Sequence, residues 1–205
     1  MKRLFFFVVL GVLTLSAQTS QAQSLTDLFN GLSKLFGATT ESQAQQAPKP
    51  VYPTAEELLG TWVYQSPEMV YSGNDALATV AISTLKGQLP TLASKFGIES
   101  GNVYATVNKK SIKAWRGNDK STVSYSYIPA NGQAIITGKF NDRKVILTGV
   151  AEVVDGNIRI LFKAKELMAI VAETNTFKQN STLQAIKGVV DRYPEIQVGA
   201  FVKRQ

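Results

Sequence analysis

The sequence predicts a mainly β fold with helical insertions, built as an antiparallel up-and-down β-barrel of about eight strands. Three observations carry this. Gly60-Thr61-Trp62 lets the chain pass close beneath a large indole, as the closed end of a small barrel requires. From Val103 onward, short strand-like runs alternate with turn residues, the pattern of an antiparallel meander rather than of parallel strands with crossovers. Apolar stripes at helical spacing fall in two places only within this domain, after the first strand and before the last.

Taken in order, the chain opens with a secretory signal over residues 1–22. Met1-Lys2-Arg3 give the positive start, Leu4 to Leu15 the apolar core, and Ser20-Gln21-Ala22 the small residues at the cleavage positions. Cleavage is expected after Ala22, with Ala17 the second choice, and the apolar run is too short for a permanent membrane span of about 20 residues. Residues 23–37 read as a short amphipathic helix, with Leu25, Leu28, Phe29, Leu32, Leu35 and Phe36 on one face and Gly37 ending it. Residues 38–53 turn to Thr, Ser, Gln, Ala and Pro, the composition of a flexible or extended linker. The barrel domain is placed at 54–205.

Within that domain, Thr54 to Glu57 form a helical lead-in and Leu58 to Gln65 a first strand. Gly73 to Phe96 then read as helical through Leu77, Ala81, Leu85, Leu89, Leu92 and Phe96, with a kink or a break into two helices expected at Gly87 and Pro90. Strands follow at Val103–Asn108, Ser111–Arg116, Thr122–Ile128, Ala134–Phe140, Lys144–Val154 and Asn157–Lys163. Their punctuation, such as Gly117-Asn118-Asp119, Asn131-Gly132 and Asp155-Gly156-Asn157, tolerates left-handed backbone or bonds its own turn. Two helices, Lys165–Thr174 and one capped by Asn180 or Ser181, precede a last strand at Ile196–Lys203.

Composition excludes more than it assigns. The chain has no Cys and no His, which removes disulfides, a cysteine-borne lipid anchor, the common zinc sites and every nucleophile that relies on histidine. Export without disulfides suits a bacterial periplasm or outer envelope. The formal charge of +7 falls to +5 once Lys2 and Arg3 leave with the signal, too little for a nucleic-acid face. Ser83-Thr84-Leu85-Lys86 fits Ser-x-x-Lys by chance, without a Lys-Thr-Gly companion. Glu56-Glu57 favour a helix start, and Asp119, Asp142 and Asp155 belong to turns. The residues therefore point away from an enzyme, and no metal or cofactor is expected; carboxylate hydrolysis stays as a remote third reading.

From about Glu57 to Arg204 the chain resembles the lipocalin-like proteins of unknown function exported by gut-type Gram-negative bacteria. The resemblance rests on Leu58-Leu59-Gly60-Thr61-Trp62, on Asp75-Ala76-Leu77 and Leu89-Pro90, and on Lys95-Phe96-Gly97-Ile98. It continues through Leu161-Phe162, Asn180-Ser181-Thr182-Leu183 and the ending Gly199-Ala200-Phe201-Val202-Lys203-Arg204. It implies a lipocalin-like barrel with a structural end group of Gly60, Trp62 and a basic residue from the last strand, Arg204 first and Lys203 second. The long helix between the first and second strands departs from true lipocalins and argues against a wide ligand cup.

Strand aromatics supply the candidate lining: Tyr64, Tyr104, Tyr125, Tyr127, Phe140 and Phe162. The same residues also suit a packed core. Lys109, Lys110 and Lys113 crowd one hairpin, either as a protected strand edge or as a basic rim that associates weakly with an anionic membrane surface. The expected function is exported, non-catalytic binding of a small apolar or amphipathic molecule. The alternative is an envelope structural protein with a filled barrel that docks a membrane or an unidentified protein partner.

Overall fold

The computed structural model describes residues 49–95, 97–140, 142–178 and 181–205; the expected signal, the 23–37 helix and residues 38–48 of the linker lie outside them. A one-turn helix α1 (Ala55–Leu58) leads into β1 (Gly60–Tyr71), and a long helix α2 (Ala76–Lys95) separates β1 from β2 (Tyr104–Val107). β3 (Ser111–Arg116), β4 (Asp119–Ile128), β5 (Gln133–Phe140), β6 (Arg143–Val154) and β7 (Asn157–Lys163) follow as a meander. Then come α3 (Ala164–Val171), α4 (Asn175–Lys178), α5 (Ser181–Arg192) and β8 (Ile196–Arg204). The eight strands close in chain order, each antiparallel to the next, with β8 returning to β1. This is the lipocalin-like topology that the strand count and turn spacing predict.

The turns work as their residues require. Asp155 and Gly156 both take left-handed backbone, φ 50° and 75°, between β6 and β7, which matches the two-residue turn that best suits strand twist. Thr54 and Glu57 form a reciprocal capping box at α1, Glu57 Oε2 accepting from the Thr54 amide at 2.7 Å. The Thr54 amide and then the Thr54 hydroxyl, both donating to Glu57 Oε2, hold the Glu57 carboxyl below its ordinary value.

Three expectations need correction. The first strand runs to Tyr71 rather than stopping at Gln65, because β8 pairs with β1 all the way to Ile196 opposite Tyr71. Pro67 is tolerated there because β2 pairs only with Gly60–Val63, so this half of β1 has a single strand neighbour. Secondly, α2 does not break into two helices at Gly87 and Pro90. Both lie on its exposed face, while Ala78, Ala81, Ile82, Leu85, Leu89 and Ala93 on the other are buried, so packing holds it continuous. The side chains of Leu77 and Leu92, and Phe96 altogether, lie outside the described residues. Thirdly, a helical turn, α4, is added before α5; the Thr174 hydroxyl caps it by accepting from the Phe177 amide at 3.1 Å.

The helices decide which parts of the barrel stay closed. α2 packs along β1 where β2 has ended, and so stands in for missing sheet. Leu85 and Leu89 of α2, Leu167 and Val171 of α3, and Leu183, Ile186 and Val190 of α5 form one core cluster with inward residues Met69, Ile112, Ile136, Leu147 and Val198. At the opposite end, Leu58 of α1 packs with Trp62, Ala151 and Ile158. Val51 joins the sheet edge beside Val153, whose amide donates to the Val51 carbonyl at 2.8 Å, and Pro53 is buried. The last residues of the expected linker thus lie against the barrel.

Candidate functional site

Between the two packed ends lies a cavity of about 110 Å³. Its wall follows from strand alternation: Trp62 and Tyr64 from β1, Ala105 and Val107 from β2, Ile136 from β5, Ile158, Ile160 and Phe162 from β7, and Ala200 and Val202 from β8. Ile98 and Val103, from the loop between α2 and β2, complete it beside Tyr64 and pack there with Ala93. That loop is braced: Ile98 N donates to the Ala93 carbonyl at 3.0 Å, and Arg116 Nη1 donates to the Gly97 carbonyl at 3.2 Å.

The wall is apolar almost throughout. Trp62 Nε1 is satisfied by the Leu58 carbonyl at 2.8 Å, so the indole presents carbon to the interior. Tyr64 is different. Its hydroxyl is fully enclosed and has no hydrogen-bond partner among the described residues, and burial pushes it well above the ordinary tyrosine value.

The other aromatics that the sequence singles out have separate places. Phe162 and Tyr104 border the cavity, but Tyr104 pairs opposite Trp115 and stacks on it, centroids 5.4 Å apart. Tyr125 and Tyr127 stack on one another at 6.4 Å and pack with the cluster around Leu58 and Trp62. The Tyr127 hydroxyl donates to the Pro53 carbonyl at 2.7 Å. Burial first, then the neighbouring Glu57 and Tyr52, push it up to about 12; burial and Tyr127 raise Tyr125 in the same direction. Phe140 sits at the far end in the helix-packed cluster, beside an open groove with Arg143, Lys144 and Ile146. The wall residues Ile98, Val103 and Ala200 were not named as lining by sequence reasoning. Val103 was expected to open the second strand but lies in the loop before it, Ala200 shares an alternating face with Val198 and Val202, and no periodicity marks Ile98.

At the barrel end, the Arg204 guanidinium lies 5.6 Å from the Trp62 ring centroid and Nη2 donates to the Leu59 carbonyl at 2.5 Å. Gly60 holds φ 122°, and a methyl group there would stand 3.2 Å from Arg204 Nη2. Gly60, Trp62 and Arg204 are therefore one contact group. Lys109, Lys110 and Lys113 are all exposed, the first two in the β2–β3 turn and the third on the outer face of β3. Among the described residues no group of three His, Cys, Asp or Glu side chains could hold a metal ion, and no helix is long and apolar enough to cross a membrane.

Comparison with protein families finds a match over residues 32–204 to the family described as Lipocalin-like domain (DUF4923). The matched span begins inside the expected N-terminal helix and ends at the arginine over Trp62. Neither the curated proteins nor the solved structures contain a match to this chain.

Proposed function

The chain belongs to the lipocalin-like domain family DUF4923, and from that premise and the interior of its barrel we propose that it binds a small apolar or amphipathic molecule without transforming it. The observation that carries this reading is the apolar cavity in the barrel interior. At about 110 Å³ it is smaller than the roughly 300–1,000 Å³ of pockets for drug-sized ligands. It is nearer the scale of an engineered apolar cavity of about 150 Å³ that accepts benzene. The ligand is thus of single-ring size, or the end of a short chain. The protein works after export, in a periplasm or outer envelope, as the first 22 residues lead one to expect.

Native mass spectrometry of the exported chain from its own envelope, beside a denaturing spectrum, tests the reading. The expected result is an N-terminus at Gln23 and a small extra mass released on denaturation; a bare mass in both spectra contradicts ligand binding.

The smallness of the cavity favours a second reading, a largely filled barrel that docks a membrane or protein partner. Exposed Lys109, Lys110 and Lys113 form the surface that reading would use toward anionic head groups.

A further inference from the structure

Tyr64, Ala105, Val107, Ile160, Ala200 and Val202 line the cavity and are only partly buried, and the surface their side chains present to it is carbon. The Tyr64 hydroxyl oxygen keeps under 1 Å² of accessible surface, out of reach of anything inside. The Trp62 indole N–H is spent on the Leu58 carbonyl, and Tyr104, next to inward Ala105, stacks its ring on Trp115. Backbone groups are committed too: the strands pair through these positions, the Tyr64 amide donates to the Val103 carbonyl, and the Tyr64 carbonyl accepts from Gly101, both at 2.9 Å. No Lys, Arg, Asp or Glu is among the described wall residues. A hydrogen-bonding group carried in from water would therefore lose its partners there and find none.

Two small residues leave the space open. On the inner face of β8, Ala200 stands between Val198 and Val202 and opposite Ile160 of β7. On β2, Ala105 stands opposite Trp62 of β1 and Ala114 of β3. Valine or isoleucine, the usual residues on an inward strand face, would take up much of the roughly single-ring volume at either position. We infer that Ala105 and Ala200 set the size limit of this site and its bare wall the polarity limit: it takes a single-ring-sized hydrocarbon and rejects the same ring once it carries a hydroxyl, an amine or a carboxylate. This rests on the proposal that the barrel interior binds a ligand, narrows that ligand from amphipathic to apolar, and has a test that separates the two.

Benzene and phenol differ by one hydroxyl. Their dissociation constants are measured by calorimetry on the wild-type protein, on Ala200→Leu and on the milder Ala105→Val, with circular dichroism reporting folding. The wild type is expected to bind benzene about tenfold or more tightly than phenol, the factor that one buried, unpaired hydroxyl costs. Ala200→Leu, which carries an isobutyl group into the space, should lose benzene binding, and Ala105→Val should weaken it. Phenol bound as tightly as benzene by the wild type overturns the inference and leaves ligand binding standing. Undiminished benzene binding by either folded variant places the ligand elsewhere and overturns it as well. Should neither variant fold, the wild-type pair decides alone. No binding of either compound by folded wild type overturns both the inference and the proposal beneath it.

Discussion

Gly60 shows how much one residue's backbone decides at the closed end of this barrel. Its φ of 122° is disfavoured for any side chain, and the space beside it is filled by the guanidinium over Trp62. Gly60→Ala is expected to destabilise by about 1–3 kcal/mol, read as a lower urea midpoint with unchanged slope. An unchanged midpoint would mean that Arg204 moves aside freely. Tyrosines give a second prediction at this scale. Tyr64, Tyr125 and Tyr127 all have folded-state values above the ordinary tyrosine value of 10.0, Tyr127 at about 12. A raised value means that the folded state keeps protons that the unfolded chain has already released. Their contribution is therefore fully present below pH 10 and is lost as pH rises through the folded-state values. Stability should fall from about pH 10 upward, with tyrosinate absorbance from these three appearing together with unfolding rather than before it. A smooth titration of every tyrosine near pH 10 in folded protein would contradict their burial.

Among the elements, α2 carries the largest departure from an ordinary closed barrel, and a buried charge holds it. Glu68 is 3 % exposed on β1; one carboxylate oxygen, Oε1, accepts from the Met69 amide at 2.9 Å and from Lys86 Nζ of α2 at 2.5 Å. Lys86 is half exposed, so solvent weakens the attraction, yet removing it leaves Glu68 buried with a backbone amide alone. Lys86→Met should cost about 1–2 kcal/mol in urea unfolding, and pairing it with Glu68→Gln should recover part of that loss. Additive losses in the double variant would show that the two do not act as a pair. Much at this scale was legible in the sequence: β3 has the expected bounds because turn residues flank it on both sides, and β7 because Asp155-Gly156 precede it and a helical stripe follows it directly. The far half of β1 was not, because Ser66-Pro67 reads locally as a strand end, and only pairing with β8, over 120 residues away, keeps it extended. The continuity of α2 was hidden for a similar reason, since Gly87 and Pro90 are local breakers and the packing that overrides them is tertiary. Gly199 carried no signal either; a methyl group there would stand 1.7 Å from the Ile160 carbonyl oxygen, so its role is a close approach of β7 and β8 that no local pattern reveals.

For the whole molecule, closure is set by length and alternation, whereas the cavity is set by what the helices leave unfilled. Strand alternation told which aromatics face inward on β4 and β7, but not how deep each lies. Tyr125 and Tyr127 end in the packed cluster near α1, Phe140 in the one near α3 and α5, and only the level of Tyr64 and Phe162 stays open. The cavity wall also borrows Ile98 and Val103 from the loop before β2; periodicity does not place Ile98, and Val103 was expected inside the strand, which begins one residue later. The central claim is that this level of the barrel is a small apolar space that a small molecule can enter. Methyl-resolved NMR of the folded protein under xenon pressure tests it most directly. The account predicts saturable shifts for the methyl groups of Ile98, Ile136, Ile158, Ile160 and Val202, with Ile196, buried in the helix-packed cluster away from the cavity, unmoved. Methyl groups that stay still throughout, or shifts confined to exposed Ile146, would contradict it.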